Sequence, residues 1–263
     1  MIKTLQKPSC YLLFAFGCVA ATTSSADFAE SAWSLGSGLD YSSGKYGSTE
    51  RSKTWNAPFA VKYETDAWQL RLSMPYIKTL APSGVVGIGS DRVALQGGSG
   101  PMRWESGWGD VVFGGSKNVW QSNSLTVDLG GKIKFGTASE SKGLGTGKND
   151  YTVQVDVYQK LGGGHSLFGT LGARKMGDPD GLDLRDPMLA SLGWSFRESA
   201  SMSYGAVYDF RQRLQASSAD VSEITGFVSY RIGPAWKMQT YLVKGFSDAS
   251  PDFGGGVIFS YTP

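Results

Sequence analysis

The chain has 263 residues, a formal net charge of +2 and 36 glycines, and 41% of its residues are hydrophobic. A charge this close to neutral excludes the strongly basic surface that nucleic-acid binding needs, so we expect no nucleic-acid partner. Both cysteines, Cys10 and Cys18, lie near the N-terminus. If that segment is removed, the rest of the chain can hold neither a disulfide nor a thiolate metal site.

The first 26 residues have the pattern of a secretory signal peptide. A basic start precedes an apolar run over 11–21, which is too short to cross a bilayer as a helix, and small residues follow at 24–26. We predict a Sec-type signal peptide over 1–26, cut after Ala26. Lipoprotein cleavage before Cys18 is the alternative, because Gly17 precedes that cysteine.

After this leader, hydrophobic and polar residues alternate in segments of about ten residues. In the segment 125–135, Leu125, Val127 and Leu129 alternate with Thr126 and Asp128. Alternate side chains of a β-strand face opposite sides of the sheet, so each such segment has one apolar and one polar face. About twelve of these segments precede the C-terminus, and the connections between them are alternately short and long.

This rhythm predicts an all-β fold: a transmembrane antiparallel up-and-down β-barrel of about 12 strands, spanning 27–263 and preceded by the cleaved signal peptide. Bacterial outer-membrane barrels have an even strand number, short periplasmic turns and long extracellular loops. The longest predicted loop is Lys78–Gly109. We therefore expect the chain in the Gram-negative outer membrane, with outer-membrane lipid and the barrel-insertion machinery as partners.

Six tryptophans lie where the predicted strands meet the turns and loops. An indole at the membrane interface buries its ring and keeps its N–H in contact with water. Ordinary core tryptophans at strand ends are the alternative. The predicted interface belts consist of Trp33, Trp55, Trp68, Trp108, Trp120 and Trp236.

The polar face of the predicted strands carries charges of both signs. A Lys or Arg facing lipid near the bilayer midplane costs about 2–4 kcal/mol, so these residues are expected to face a lumen. They either line a pore or pair with one another and fill the barrel, and twelve strands lie between filled eight-stranded barrels and open sixteen-stranded ones. The predicted pore-lining residues are Lys62, Glu64, Arg71, Asp128, Lys132, Lys134, Asp156, Asp209, Arg211, Glu223 and Arg231.

The other motifs do not indicate a phosphate-binding, calcium-binding or catalytic site. The stretch Gly143–Asn149 lacks the first glycine and the final hydroxyl residue of a phosphate loop. The acidic stretch Asp178–Pro187 does not have the spacing of a calcium loop, and we expect it to be self-paired, with Arg185 neutralising part of its charge. The only histidine, His165, lies at a predicted periplasmic turn, and no Gly-x-Ser-x-Gly elbow occurs. We predict no metal site, no cofactor and no enzyme activity.

Four stretches resemble a known family: Gly107–Val112, Lys134–Tyr151, Gly177–Pro187 and Lys244–Gly256. They are similar to the outer-membrane transporter-like proteins grouped as the MetA-pathway family of phenol degradation, and the resemblance covers Gly107–Pro263. It implies an outer-membrane barrel that passes small, including aromatic, compounds. It transfers no catalytic or binding residues to this chain.

The sequence therefore favours a passive channel for small solutes, aromatic or hydrophobic ones included. A non-conducting barrel that displays its loops is the first alternative, and a hydrolase at the outer rim is the second. The oligomeric state stays open.

Overall fold

The computed structural model describes residues 9–12, 18–21, 31–94 and 100–263, and it is dominated by one large antiparallel sheet. Twelve strands form this sheet, and β4 consists of two consecutive segments. The strands are β1 (Ser31–Gly44), β2 (Ser52–Thr65), β3 (Trp68–Pro82), β4 (Met102–Trp108 and Val111–Gln121), β5 (Leu125–Phe135), β6 (Asp150–Gly162), β7 (His165–Lys175), β8 (Met188–Arg197), β9 (Met202–Arg211), β10 (Val221–Arg231), β11 (Trp236–Gly245) and β12 (Phe253–Tyr261).

The sheet closes on itself, because the last strand pairs with the first. β12 lies antiparallel to β1, from Phe253 opposite Ser43 to Tyr261 opposite Leu35. Every other strand pairs with its neighbours in the chain. The predicted twelve-stranded up-and-down barrel is confirmed. Within the described part of the chain, no helix is long and apolar enough to cross a membrane.

The leader is only partly described. Ser9–Leu12 and Cys18–Ala21 form a small antiparallel pair of their own, separate from the barrel sheet. The predicted cut after Ala26 lies outside the described residues, so the signal peptide stays a prediction.

The outer surface of the barrel is apolar, as the alternation predicts. On β5 and β6, Leu129 and Val155 are cross-strand partners and both are exposed, while the neighbouring Asp128 and Asp156 face inward. The phase of β7, which the sequence leaves uncertain, is now fixed: Leu167 is 38% exposed and faces outward. A closed barrel with an apolar outer surface is compatible with a lipid bilayer, because closure satisfies the backbone hydrogen bonds of the strands.

Four strands are longer than their hydrophobic pattern predicts. β3 continues to Pro82, and Met102–Trp108 pairs with it inside the stretch predicted as the loop Lys78–Gly109. That loop prediction is therefore too wide, as is the predicted loop Ser42–Thr54, into which β1 and β2 extend. The exposed residues here are partly polar, so the backbone ladder continues where the alternation of hydrophobicity fades.

β4 is irregular for two local reasons. Gly109 and Asp110 interrupt it, and a β-bulge near Val119 shifts its register with β5. The bulge inserts one extra residue, so Val119 and Trp120 are both exposed although they are adjacent. A phase change of this kind explains why the sequence pattern is weak in this strand.

The inward face is not entirely polar, which corrects the sequence-based expectation. A buried cluster of aromatic and aliphatic residues lines the wall: Tyr158, Phe168, Val207, Phe227 and Tyr241. Two rings lie over glycines. A Cβ on Gly193 would collide with the Phe168 ring, and a Cβ on Gly205 would lie 2.8 Å from Phe227 Cζ. The glycines thus let these rings lie against the wall.

A charge on the lipid-facing surface should destabilise the barrel. We expect Leu129→Arg, near the middle of β5, to reduce the free energy of unfolding in phospholipid bilayers by about 2–4 kcal/mol. Denaturant titration of the refolded protein measures this, with Leu129→Val as the apolar control. An unchanged unfolding free energy for the arginine variant would contradict the assignment of this face to lipid.

Candidate functional site

All eleven predicted lumen residues occupy inward positions on the strands. For most of them, at least one neighbouring position carries an exposed side chain of the outer wall, as Leu70 and Leu72 do for Arg71. Their role in lining a pore stays a prediction. The inward set is Lys62, Glu64, Arg71, Asp128, Lys132, Lys134, Asp156, Asp209, Arg211, Glu223 and Arg231.

The ion pairs of Lys134 and Lys62 do not join charged residues on opposite sides of the lumen. Lys134 Nζ lies 2.9 Å from Asp110 Oδ2 and 3.2 Å from Asp150 Oδ2. Lys62 Nζ contacts Glu64 two residues along its own strand at 2.8 Å. Asp110 belongs to the break in β4, so its role as a counter-ion could not be read from strand alternation.

Two strand carboxylates are held by amides. Asn118 Nδ2 donates to Asp128 at 2.7 Å. Gln154 Nε2 donates to both oxygens of Asp156, at 2.8 and 2.7 Å, and the Thr170 hydroxyl donates to the same carboxylate. The hydrogen-bond partners of both carboxylates therefore lie on the same or a neighbouring strand, not across the lumen.

The connection between β3 and β4 folds into the mouth of the barrel. Val85–Val86 pairs with Val93–Ala94 in a small hairpin, and a 3₁₀ turn, Gly89–Asp91, forms its tip. Gly87 and Gly89 have φ of 86° and 54°, which is the left-handed region that favours glycine. We call this hairpin, residues 85–94, the mouth loop.

One side of the mouth loop is bound to strands β7, β9 and β10. Arg174 Nη1 donates to Asp91 Oδ2 at 3.0 Å, and Arg211 Nη2 lies 3.5 Å from Asp91 Oδ1. Arg211 also donates to the Ser90 carbonyl at 2.6 Å, and the Ser90 hydroxyl donates to Glu223. One loop carboxylate is thus the shared counter-ion of two inward-facing arginines.

The other side of the mouth loop is bound to β2 and β3. Arg92 Nη2 donates to the hydroxyls of Thr54 and Thr79 at 2.9 and 2.8 Å. The guanidinium lies 4.9 Å from the centre of the Tyr46 ring, a cation–π contact. Because β2 and β3 lie across the barrel from β9, consecutive residues of the loop reach opposite parts of the wall. The mouth loop therefore spans the lumen.

An apolar cluster fixes the loop to the outer rim. Val86 and Val93 are buried against Met176, Leu184 and Leu214, which belong to the neighbouring connections 176–187 and 212–220. Burial of this size typically stabilises a contact by about 1.5–3 kcal/mol per large side chain. The mouth of the barrel is thus narrowed by a packed structure.

The electrostatics of the mouth loop keep Asp91 ionised. Burial opposes its charge, but the guanidinium groups of Arg174 and Arg211 outweigh that effect and hold the pKa of Asp91 below its ordinary value of 3.8. Burial lowers the pKa of Arg92 to about 10, which still leaves it charged at neutral pH.

Sequence reasoning missed Ser90, Asp91, Arg92 and Arg174 as functional candidates. The first three lie in a connection without strand periodicity, and only the glycines beside them indicate a tight turn. Arg174 was missed because the phase of β7 was uncertain, although the spacing of Leu167 and Leu171 does place it on the inward face.

The predicted aromatic belts are on the outer surface. Trp33 and Trp236 contact Tyr63 and Tyr261 near the short turns, with ring centres 4.7 and 4.9 Å apart. Trp104 and Trp194, which the prediction omitted, are exposed as well. The belt positions Trp33, Trp55, Trp68, Trp108, Trp120 and Trp236 are all exposed.

The remaining motifs are structural. The acidic stretch is neutralised by lysines of neighbouring segments, through Lys148 with Asp180 and Lys175 with Asp186, so the expected pairing with Arg185 is not the main one. His165 is exposed at a short turn and accepts a hydrogen bond from Trp194 Nε1 at 3.2 Å. Among the described residues, no group of three or more His, Cys, Asp or Glu could hold a metal ion.

Removing the Asp91 charge should loosen the mouth loop. In Asp91→Asn, two guanidinium groups lose their shared counter-ion, and we expect the loop to lose about 1–3 kcal/mol of local stability. Hydrogen exchange of the amides in 85–94 measures this. Asp180→Asn, which breaks an exposed pair, is the control and should leave their protection unchanged.

The mouth loop should also respond to acid, but only at low pH. The pKa of Asp91 lies below 3.8 in the folded chain, so its contribution is fully present above the unfolded value and is lost as the pH falls through the folded one. Protection factors in 85–94 should fall below about pH 3.8, and Asp91→Asn should lack this component. A loss already complete at pH 5 would contradict the role of Asp91.

Comparison with known proteins agrees with this geometry. An outer membrane channel from Pseudomonas putida F1 superposes with a TM-score of 0.69 at 12% identity, covering 90% of this chain and 97% of that one. The NanC porin gives 0.56 at 10% identity, with 87% and 99% covered, and the KdgM porin gives 0.53 at 8%, with 87% and 98% covered. At this identity the likeness establishes the barrel fold. A search of curated proteins found no match.

A family model matches residues 76–262, starting upstream of the Gly107 at which the sequence resemblance begins. Because it covers most of the chain, this protein belongs to the family described as "Putative MetA-pathway of phenol degradation".

Proposed function

We propose that this protein is a passive channel for small solutes in the outer membrane of a Gram-negative bacterium. The observation that carries the proposal is a closed wall around charged side chains, crossed at its mouth by the mouth loop. Fixed charges and hydrogen-bonding groups at a constriction are what a channel uses to select what passes. The loop would set the size limit, and the inward charges would set the selectivity.

The lumen side of the wall is compatible with passage. Phe168 and Phe227 are the largest apolar side chains that face inward in the buried cluster, and they lie against Gly193 and Gly205 of adjacent strands. Small residues beneath large rings keep those rings close to the wall. The rings therefore lie near the wall, and the barrel is closely packed around them, since they are only 2% and 3% exposed.

The solute class follows from the family description and from the wall. The description names phenol degradation, which points to small aromatic compounds. The buried aromatic cluster on β6, β7 and β9–β11 makes part of the inner wall apolar, which is compatible with such a solute. Passage would need only weak contacts, since a tightly bound solute could not leave.

Export and assembly belong to the same proposal. Residues 1–26 would direct secretion and be removed, and the insertion machinery would place the barrel in outer-membrane lipid. The channel would act without a cofactor and without catalysis.

A non-conducting barrel is the second candidate, because the mouth loop is firmly held. It has polar anchors on both sides of the lumen and an apolar cluster at the rim. If these contacts seal the mouth, the exposed loops would carry the function.

Electrical recordings separate the two candidates. We expect purified protein to give discrete currents in planar bilayers, and we expect replacement of residues 83–101 by a short Gly-Ser turn to raise the conductance several-fold. Heat-modifiable gel mobility checks that each variant is folded. If neither form passes current above the lipid leak, the channel is excluded and the display function is favoured.

A further inference from the structure

A recess in the inner wall carries two cations at one level of the sheet. Arg71 on β3 is the cross-strand partner of Gly114 on β4, and Gly114 is the partner of Lys132 on β5. The glycine leaves a gap between the two basic side chains. A Cβ on Gly114 would lie 3.3 Å from Lys132 Cγ, so even a methyl group would begin to fill this gap.

The floor of the recess consists largely of backbone. Gly114 and Gly130 face inward there, with Ser73 and Ser116 beside them. A surface without side chains admits a flat group close to the sheet.

Polar atoms in the recess lack partners. Gln69 lines it and is only 4% exposed, yet neither its amide nitrogen nor its amide oxygen has a hydrogen-bond partner in the described part of the chain. Arg71 Nε is also unpartnered, and no carboxylate of the described residues lies within ion-pair distance of Arg71. Buried polar groups are normally satisfied, so these atoms indicate a ligand that visits the recess.

The net charge of the recess favours the binding of a monoanion. Among the described residues, Asp156 is the only carboxylate that lines the recess, and both of its oxygens already accept hydrogen bonds from Gln154. Arg71 and Lys132 against Asp156 leave a net charge of about +1. A guanidinium binds a carboxylate through two parallel hydrogen bonds, which suits a planar monoanion better than a neutral solute.

We propose that the recess of Arg71, Lys132 and Gln69 is a binding site for small organic carboxylates on their way through the barrel. The ring or chain of the solute lies over the glycine floor, the guanidinium and the ammonium bind its carboxylate, and the Gln69 amide nitrogen donates to it. This proposal rests on the proposed channel function and names the solutes that the channel favours.

Fluxes of matched solutes into proteoliposomes test the proposal. Benzoate and benzamide have the same shape but differ in charge, so their flux ratio reports recognition of the carboxylate. We expect Arg71→Gln to lower the benzoate flux about tenfold, as loss of a charge-assisted contact predicts, while the benzamide flux changes little. Arg197→Gln, which removes an exposed cation at the end of β8, is the matched control and should leave the flux ratio near that of the unaltered protein.

A second variant distinguishes a site from general electrostatic attraction. Gly114→Val keeps every charge but fills the gap, and it should also lower the benzoate preference. Gel mobility confirms folding, and the corresponding Gly131→Ala on the outward side of β5 checks the loss of a glycine as such. If Arg71→Gln and Gly114→Val both keep the unaltered flux ratio, the carboxylate site is wrong and the channel stands. If the unaltered protein passes neither solute, the channel proposal itself fails.

Discussion

The structure depends on one constraint: every backbone N–H and C=O of a strand must find a partner within the protein when the strand lies in hydrocarbon. The pairing of β12 with β1 meets it, because this pairing leaves the sheet without an open edge. Closure in turn creates an enclosed face. Since the outer face contacts lipid, the polar half of each strand is directed into that enclosed space, which the proposed function uses.

In this barrel the apolar side chains face outward and the polar ones face inward, the reverse of a soluble domain. As in a soluble domain, a buried charge is stabilised by a partner of opposite charge. Two inward cations have partners from connecting segments: Asp110 from the break in β4 contacts Lys134, and Asp91 from the mouth loop contacts Arg174. In both cases a strand supplies the positive charge and an irregular segment supplies a carboxylate. The mouth loop is therefore placed by the same ion pairs that stabilise the lumen.

The fold was predictable because membrane strands repeat one simple pattern, and residues such as Leu129 and Asp128 show which face is which without any tertiary information. The inward charges followed from the same alternation. The partners of these charges could not be predicted in this way. A residue such as Asp91 lies in a connection, and its position in the lumen depends on how that loop folds. The inward rings of Phe168 and Phe227 were also missed, since the glycines that accommodate them lie on neighbouring strands. Register, rather than composition, decides such contacts.

The outer faces of the long strands β2 and β3 indicate which part of each strand lies in the membrane. On the outer wall of β2, the apolar sequence ends at Trp55 and Lys53 follows; on β3 it ends at Tyr76 and Lys78 follows. A nine-residue strand segment, from Trp55 to Tyr63 or from Trp68 to Tyr76, is enough to cross the hydrocarbon of an outer membrane at the usual tilt. The remaining residues of these strands extend beyond that segment, so the wall at the entrance of the proposed channel is taller on the side of β1–β4 than on the opposite side.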